Sequence, residues 1–144
     1  NYPLYFTLRE IFVPGPMQMP MSGLANWMVS NAEFATGRLM LNFLDNNDLP
    51  RFIYKLDGDR QLYHNALLCV LGMEGLPVLL YGSEQDQRGV LNFSDPLKVD
   101  NWRPPLWHAG YNTSSDTFQL VKKVLWLRRH LHGMHDLKQR ALFA

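Results

Sequence analysis

The chain has 144 residues, 47% of them hydrophobic and 19% charged. That is the size of one domain or of a piece of a larger one, and the composition excludes an intrinsically disordered chain. A formal net charge of +1 leaves no electrostatic footprint for nucleic acid or an acidic membrane surface, and no run of roughly 18 apolar residues exists to span a bilayer. One cysteine, Cys69, excludes an intrachain disulfide. Its place inside Ala66-Leu67-Leu68-Cys69-Val70-Leu71 reads as buried packing rather than a reactive thiol. The chain opens on Asn1-Tyr2-Pro3-Leu4-Tyr5-Phe6 without an initiator Met or a signal-peptide pattern. A fragment or a processed chain is the expectation, and the compartment stays open.

In chain order, a short aromatic-rich run, Tyr2 to Phe6, precedes Leu8 to Phe12 with helical spacing. A loop rich in Pro, Gly and Met follows, and Leu24 to Val29 suits another turn or two of helix. Leu39 to Leu44 reads as a buried strand. The polar cluster Asp45-Asn46-Asn47-Asp48 after it has two readings. One is a turn, since Asn and Asp tolerate left-handed backbone; the other is chemistry at the end of a barrel strand. Asp57 or Asp59 caps a helix expected from about Arg60 to Glu74, with Gly75 as its left-handed terminator. Its inward face is Leu62, Ala66, Cys69, Val70 and Met73. Leu76 to Tyr81 is a second strand with Pro77 near its start, followed by a long loop from Ser83 to Tyr111. Thr113 to Asp116 offer N-caps to a last helix, with Leu120, Val124, Leu127 and Leu131 at i, i+4, i+7 and i+11 as its core face and Gly133 as its stop. Apolar strands alternating with helices predict an α/β fold with a parallel sheet.

Two of these stretches carry a family pattern. Phe43-Leu44-Asp45-Asn46-Asn47-Asp48-Leu49-Pro50-Arg51-Phe52 resembles the end of the seventh barrel strand in the α-amylase family of glycoside hydrolases. Gly75-Leu76-Pro77-Val78-Leu79-Leu80-Tyr81-Gly82-Ser83-Glu84-Gln85 resembles that family's eighth strand. Asp95-Pro96, Arg103, Trp107 and Gly110 to Asp116 are similar to its fungal-type branch, and Asn1 to Phe6 is similar to its sixth strand. The resemblance runs in order from Asn1 to about His130. It implies a partial (β/α)8 TIM barrel, strands six to eight with their helices, over residues 1–133. Residues 134–144 would then lead towards an absent C-terminal β-domain. A full barrel takes about 250 residues.

The same resemblance implies a retaining hydrolase acting on α-1,4-glucans. Such a reaction needs a carboxylate nucleophile, a carboxylic acid and stabilisation of positive charge on the sugar ring. Asp48 matches the family's third carboxylate, the transition-state stabiliser. Asn47, Asp95 and Arg103 match positions that bind sugar hydroxyls, and Arg51 is expected to orient the loop by a charge-assisted hydrogen bond. Asn47 stands where the family has His; it can bond a hydroxyl but cannot take up a proton or a positive charge, and weakened or altered activity is the expectation. The nucleophile and the acid/base belong to strands upstream of this chain. Family members commonly hold Ca²⁺ through upstream ligands, so no metal or other cofactor is assigned within this chain. A transglycosylase of the same family fits these motifs equally.

The plainer readings stand beside these. Trp102 and Trp107 either stack on sugars or, as aromatics in long loops more often do, cover a core edge. Glu84 is a loop anchor or a ligand. His130, His132 and His135 suggest a metal site, but Arg128, Arg129 and His130 at a helix C-terminus are better explained by the macrodipole. A piece of barrel leaves open sheet edges and an uncovered interior face. The partner is therefore an α-glucan if the barrel is completed. Otherwise protein partners cover the open edges, and the chain is a non-catalytic structural or interaction module. Neither nucleic acid nor membrane is expected as a partner.

Overall fold

The computed structural model describes residues 1–89 and 103–131. Among these residues five helices accompany a small sheet: α1 (Tyr2–Phe12), α2 (Ser22–Ala35), β1 (Leu41–Asn42), α3 (Phe52–Lys55), α4 (Arg60–Gly72), β2 (Leu76–Pro77) and α5 (Asp116–His130). Short 3₁₀ turns at Ser83–Gln85 and Leu106–Ala109 shape the loop before α5. The expected tail at 134–144, Gly133, and the site candidate Asp95 lie outside the described residues.

The strand expected within Asn1 to Phe6 is instead the first half of α1. The Asn1 side chain accepts from the Leu4 N–H at 3.3 Å and so caps the helix. Pro3 sits in the first turn, where a missing N–H costs nothing. Leu4, Tyr5, Leu8, Ile11 and Phe12 are all buried on one helical face. Cap, proline and continuous face outweigh the strand preference of Tyr and Phe, which depends on having a sheet to join.

β1 and β2 are parallel, with Leu41 opposite Leu76 and Asn42 opposite Pro77. Leu76 N donates to Met40 O at 2.8 Å and Val78 N donates to Asn42 O at 2.7 Å. Pro77 falls between these donors, so its missing N–H breaks no ladder bond. The regular ladder is shorter than the apolar runs predicted. In its middle Asn42, only 1% exposed, turns its amide to Glu74 O at 2.7 Å and accepts from Asn1 Nδ2 at 2.7 Å. Gly75 has φ of +99°, yet α4 has already ended at Gly72 with Met73 in extended backbone. The glycine serves a different purpose from the predicted cap: a Cβ there would lie 2.5 Å from Met40 O, so only Gly lets the second strand approach the first.

The chain between β1 and β2 carries α3 and α4, and α4 packs against α1 and α5. Asp59 caps α4 by accepting from Leu62 N at 3.0 Å. Tyr63, Ala66, Leu67, Val70 and Leu71 are its most buried residues. The predicted face was rotated by about one position: Leu62 and Cys69 sit at its margin and are only partly buried. α5 starts where Ser115 caps Phe118 N at 3.2 Å. Its inward residues are Thr117, Val121 and Arg128. Leu120 and Val124 are half-buried, and Leu127 and Leu131 are exposed. The predicted leucine face is thus the flank of the helix. A polar chain drew the helix round: His64 Nε2 lies 2.7 Å from Thr117 Oγ1, Thr117 donates to Asp86 Oδ1 at 2.6 Å, and Arg60 pairs with Asp86 at 2.9 Å.

Arg128 does not serve its own helix terminus, as expected, but reaches the end of α4. Its guanidinium donates to Leu71 O at 2.9 Å, to Met73 O at 2.8 Å, and to Gly75 O. These are carbonyls at and just beyond the end of α4, without helical partners there. The sheet itself is less covered. Leu39, Leu41, Leu76 and Val78, along and beside the sheet, are all exposed.

Candidate functional site

The site lies where both strands end, in the loop from Asp45 to Phe52 and the turn after Tyr81. The loop begins with a turn of its own: the Asp48 N–H donates to Asn46 Oδ1 at 2.9 Å and Leu49 N donates to Asn46 O at 3.3 Å. Asn46 Nδ2 in turn donates to Tyr2 Oη at 3.0 Å. Asn and Asp form such turns because a short side chain can replace a backbone acceptor. The turn lifts Asn47 and Asp48 into solvent side by side, and Asn47 Nδ2 donates to Asp48 Oδ1 at 2.8 Å. The two predicted residues therefore form one exposed amide–carboxylate pair.

Three residues earlier, Asp45 lives in the opposite environment, only 4% exposed. Its Oδ2 accepts from Phe52 N at 2.9 Å and its Oδ1 from Ser83 Oγ at 3.1 Å. Burial pushes its carboxyl up from the ordinary carboxylate range. The Phe52 bond, the Arg51 charge and the Ser83 bond pull the other way without cancelling burial. Tyr63 Oη donates to Ser83 O at 3.0 Å, and burial first, the Asp45 charge second, push its phenol upward as well.

Arg51 is fully buried. It donates to Ser83 Oγ at 3.1 Å and to Tyr81 O at 2.7 Å, with its guanidinium 5.3 Å from the Tyr81 ring centre. The charge-assisted bond expected of Arg51 thus ties the loop to the end of β2. Tyr81 Oη donates to the carbonyl of Arg103 at 3.0 Å, which brings exposed Arg103 to the same end of the sheet through its backbone.

Glu84 is a loop anchor: its carboxylate accepts from Gln85 Nε2 at 3.2 Å and its carbonyl from Ser115 Oγ at 3.4 Å. Trp107 is 65% exposed and does not cover the described core; Trp102, His132 and His135 lie outside the described residues. His130 stacks on Trp126 at 4.3 Å and its Nδ1 lies 2.7 Å from Trp126 O. Among the described residues no group of three or more His, Cys, Asp or Glu is placed to hold a metal ion. Among them no helix is long and apolar enough to cross a membrane.

Sequence reasoning missed Asp45 and Ser83 as partners. The available signal was a carboxylate at the end of an apolar run, seven residues before the start of a helix; its meeting with Ser83 is made by the fold.

With this geometry in hand, the relatives are informative. An uncharacterised glycosyl hydrolase of Schizosaccharomyces pombe is 32% identical over 131 residues, 91% of this chain and 25% of that protein. An α-amylase of Saccharomycopsis fibuligera is 35% identical over 125 residues, 86% of this chain and 23% of that protein. No protein-family model matches the chain. The crystal structure of CldA, a cyclomaltodextrin glucanotransferase with a three-domain ABC distribution, superposes with a TM-score of 0.65 and 24% identity. That match covers 88% of this chain and 24% of CldA and speaks for the fold alone. By sequence the chain belongs with the α-amylase-type glycoside hydrolases. It spans about a quarter of the length of these relatives.

Proposed function

We propose that this chain supplies the seventh and eighth strand units of an amylase-like (β/α)8 barrel, with α1 as the helix before them. Residues 1–133 would belong to the barrel and 134–144 would lead out of it. The site would act on α-1,4-glucans with retention, using a nucleophile and an acid/base from barrel units outside residues 1–144.

Asp48 stabilises the positive charge that builds on the sugar ring as the glycosidic bond breaks. Asn47 donates to or accepts from a sugar hydroxyl, and Asp95 and Arg103 hold hydroxyls of a neighbouring unit. The observation that carries this reading is the exposed Asn47–Asp48 pair, held where the strands end, which is where barrel enzymes place their chemistry.

The test is an NMR titration of the chain with maltoheptaose. Shifts should concentrate at Asn46 to Asp48, and Asp48→Asn should weaken binding about ten-fold, the worth of a lost charge-assisted bond, while stability changes by less than about 0.5 kcal/mol. No binding by the unaltered chain, or equal binding by the variant, ends the reading. The uncovered apolar residues Leu39, Leu41, Leu76 and Val78 favour a second one, a non-catalytic module whose sheet is covered by a protein partner. A chain that ignores maltoheptaose would leave that one standing.

A further inference from the structure

We infer that Asp45 is a positioning residue, a buried carboxylate that closes the loop carrying Asn47 and Asp48 and docks it on the end of β2. For the sugar-binding part this rests on the function proposed above.

The turn built on Asn46 sets the shape of residues 46–49 but not their place. The place is set from both flanks. Asp45 before the loop bonds Phe52 N at 2.9 Å, joining the loop's two ends across α3's first residue. Its other oxygen accepts from Ser83 Oγ at 3.1 Å, and Arg51 after the loop reaches the same Ser83 Oγ at 3.1 Å. Arg51 also holds Tyr81 O at 2.7 Å. Both flanks therefore converge on the few residues that follow β2. A carboxylate suits this junction because it offers two acceptor oxygens to two donors that diverge. An amide at the same place offers one oxygen and leaves one donor unmet.

Burying a carboxylate beside an arginine is a poor way to gain stability, since desolvation offsets the attraction. Burial pushes the Asp45 carboxyl upward, in the same sense. Its ionised form adds little to global stability, so geometry is what it contributes. Position and stability should therefore separate on mutation.

The experiment compares the full chain with Asp45→Asn and Ser83→Ala by ¹⁵N relaxation, thermal unfolding and maltoheptaose titration. In Asp45→Asn the order parameters of Asn46 to Leu49 should fall from about 0.85 to below about 0.6, with those of α4 unchanged. The unfolding midpoint should move little, the unmet donor being offset by the buried charge that is removed, while sugar affinity falls about ten-fold. Order parameters that stay rigid in the loop, or that fall equally in loop and α4, overturn the inference. Should Asp45→Asn not fold, Ser83→Ala, which removes one of the two bonds to Asp45 together with the Arg51 bond to the same hydroxyl, decides by the same comparison. It is set beside Arg51→Met, which removes the Arg51 bonds and leaves both bonds to Asp45. If the unaltered chain binds no maltoheptaose, the function proposed above fails, and the relaxation data still judge Asp45. If the unaltered chain binds and Asp45→Asn keeps both a rigid loop and full affinity, the inference fails and the function stands.

Discussion

Two buried arginines close the two ends of the small parallel sheet, and their partners differ in kind. Arg128, from α5, sits at the end where β2 begins and meets only backbone: the carbonyls of Leu71, Met73 and Gly75. Arg51 sits where β2 has ended and meets Tyr81 O and the Ser83 hydroxyl, with the Asp45 carboxylate close enough for its charge to be felt. The first arrangement finishes a helix and fastens two helices together. The second joins side chains of two loops and fixes one of them beneath an exposed carboxylate. Under the function proposed above, the Arg51 end would be the one a barrel uses for chemistry and the Arg128 end the one it uses for stability.

The comparison predicts a ranking of losses. Arg51→Ala should cost most, about 3–5 kcal/mol in urea unfolding, because it empties a buried site and leaves the Asp45 carboxylate with its two hydrogen bonds but no neighbouring positive charge. Arg128→Met, which keeps much of the volume, should cost about 2–3 kcal/mol, since it strands carbonyls but no charge. An equal loss in the two variants would break the distinction.

The smallest effect is in pH. Asp45 has a folded pKa raised above its unfolded value. Between those values the folded state holds the proton that the unfolded state has released. This group's contribution to stability therefore falls as pH rises through that window. Removing Arg51 takes away a charge that lowers this pKa, so the window widens upward and the Arg51→Ala loss should shrink on acidification. Arg128→Met, facing only carbonyls, should show no such slope. Adding Asp45→Asn to Arg51→Ala should remove it. Unfolding midpoints across a pH series read all three.

Much of this was legible before any coordinates. Asp57 or Asp59, and the run Thr113 to Asp116, announced α4 and α5, because a short polar side chain before an apolar period satisfies a helix's first donors wherever it occurs; the structure selects Asp59 and Ser115 as the caps. The apolar runs around Leu41 and Leu76 announced parallel strands. Asn47 and Asp48 could be singled out by their neighbours, and the structure sets them together. Less visible was α1, where Tyr2 to Phe6 carries strand-forming residues and only the cap from Asn1 and the burial of Leu8 to Phe12 resolve the ambiguity. The inward face of α5 was misread because its buried members include Thr117 and Arg128, polar residues that periodicity counts as outward-facing.

The sequence by itself determined the family resemblance, the succession of β1, α4, β2 and α5, and the loop in which an exposed carboxylate stands. All of these are carried by local patterns: caps, periods and short motifs. Only the tertiary structure decided which polar residues turn inward. Asp45, Arg51, Arg128 and Thr117 look like surface residues in one dimension, because a polar side chain is buried only when partners far along the chain meet it. For Asp45 that partner is Ser83, for Arg128 it is Gly75, and no local pattern encodes either meeting.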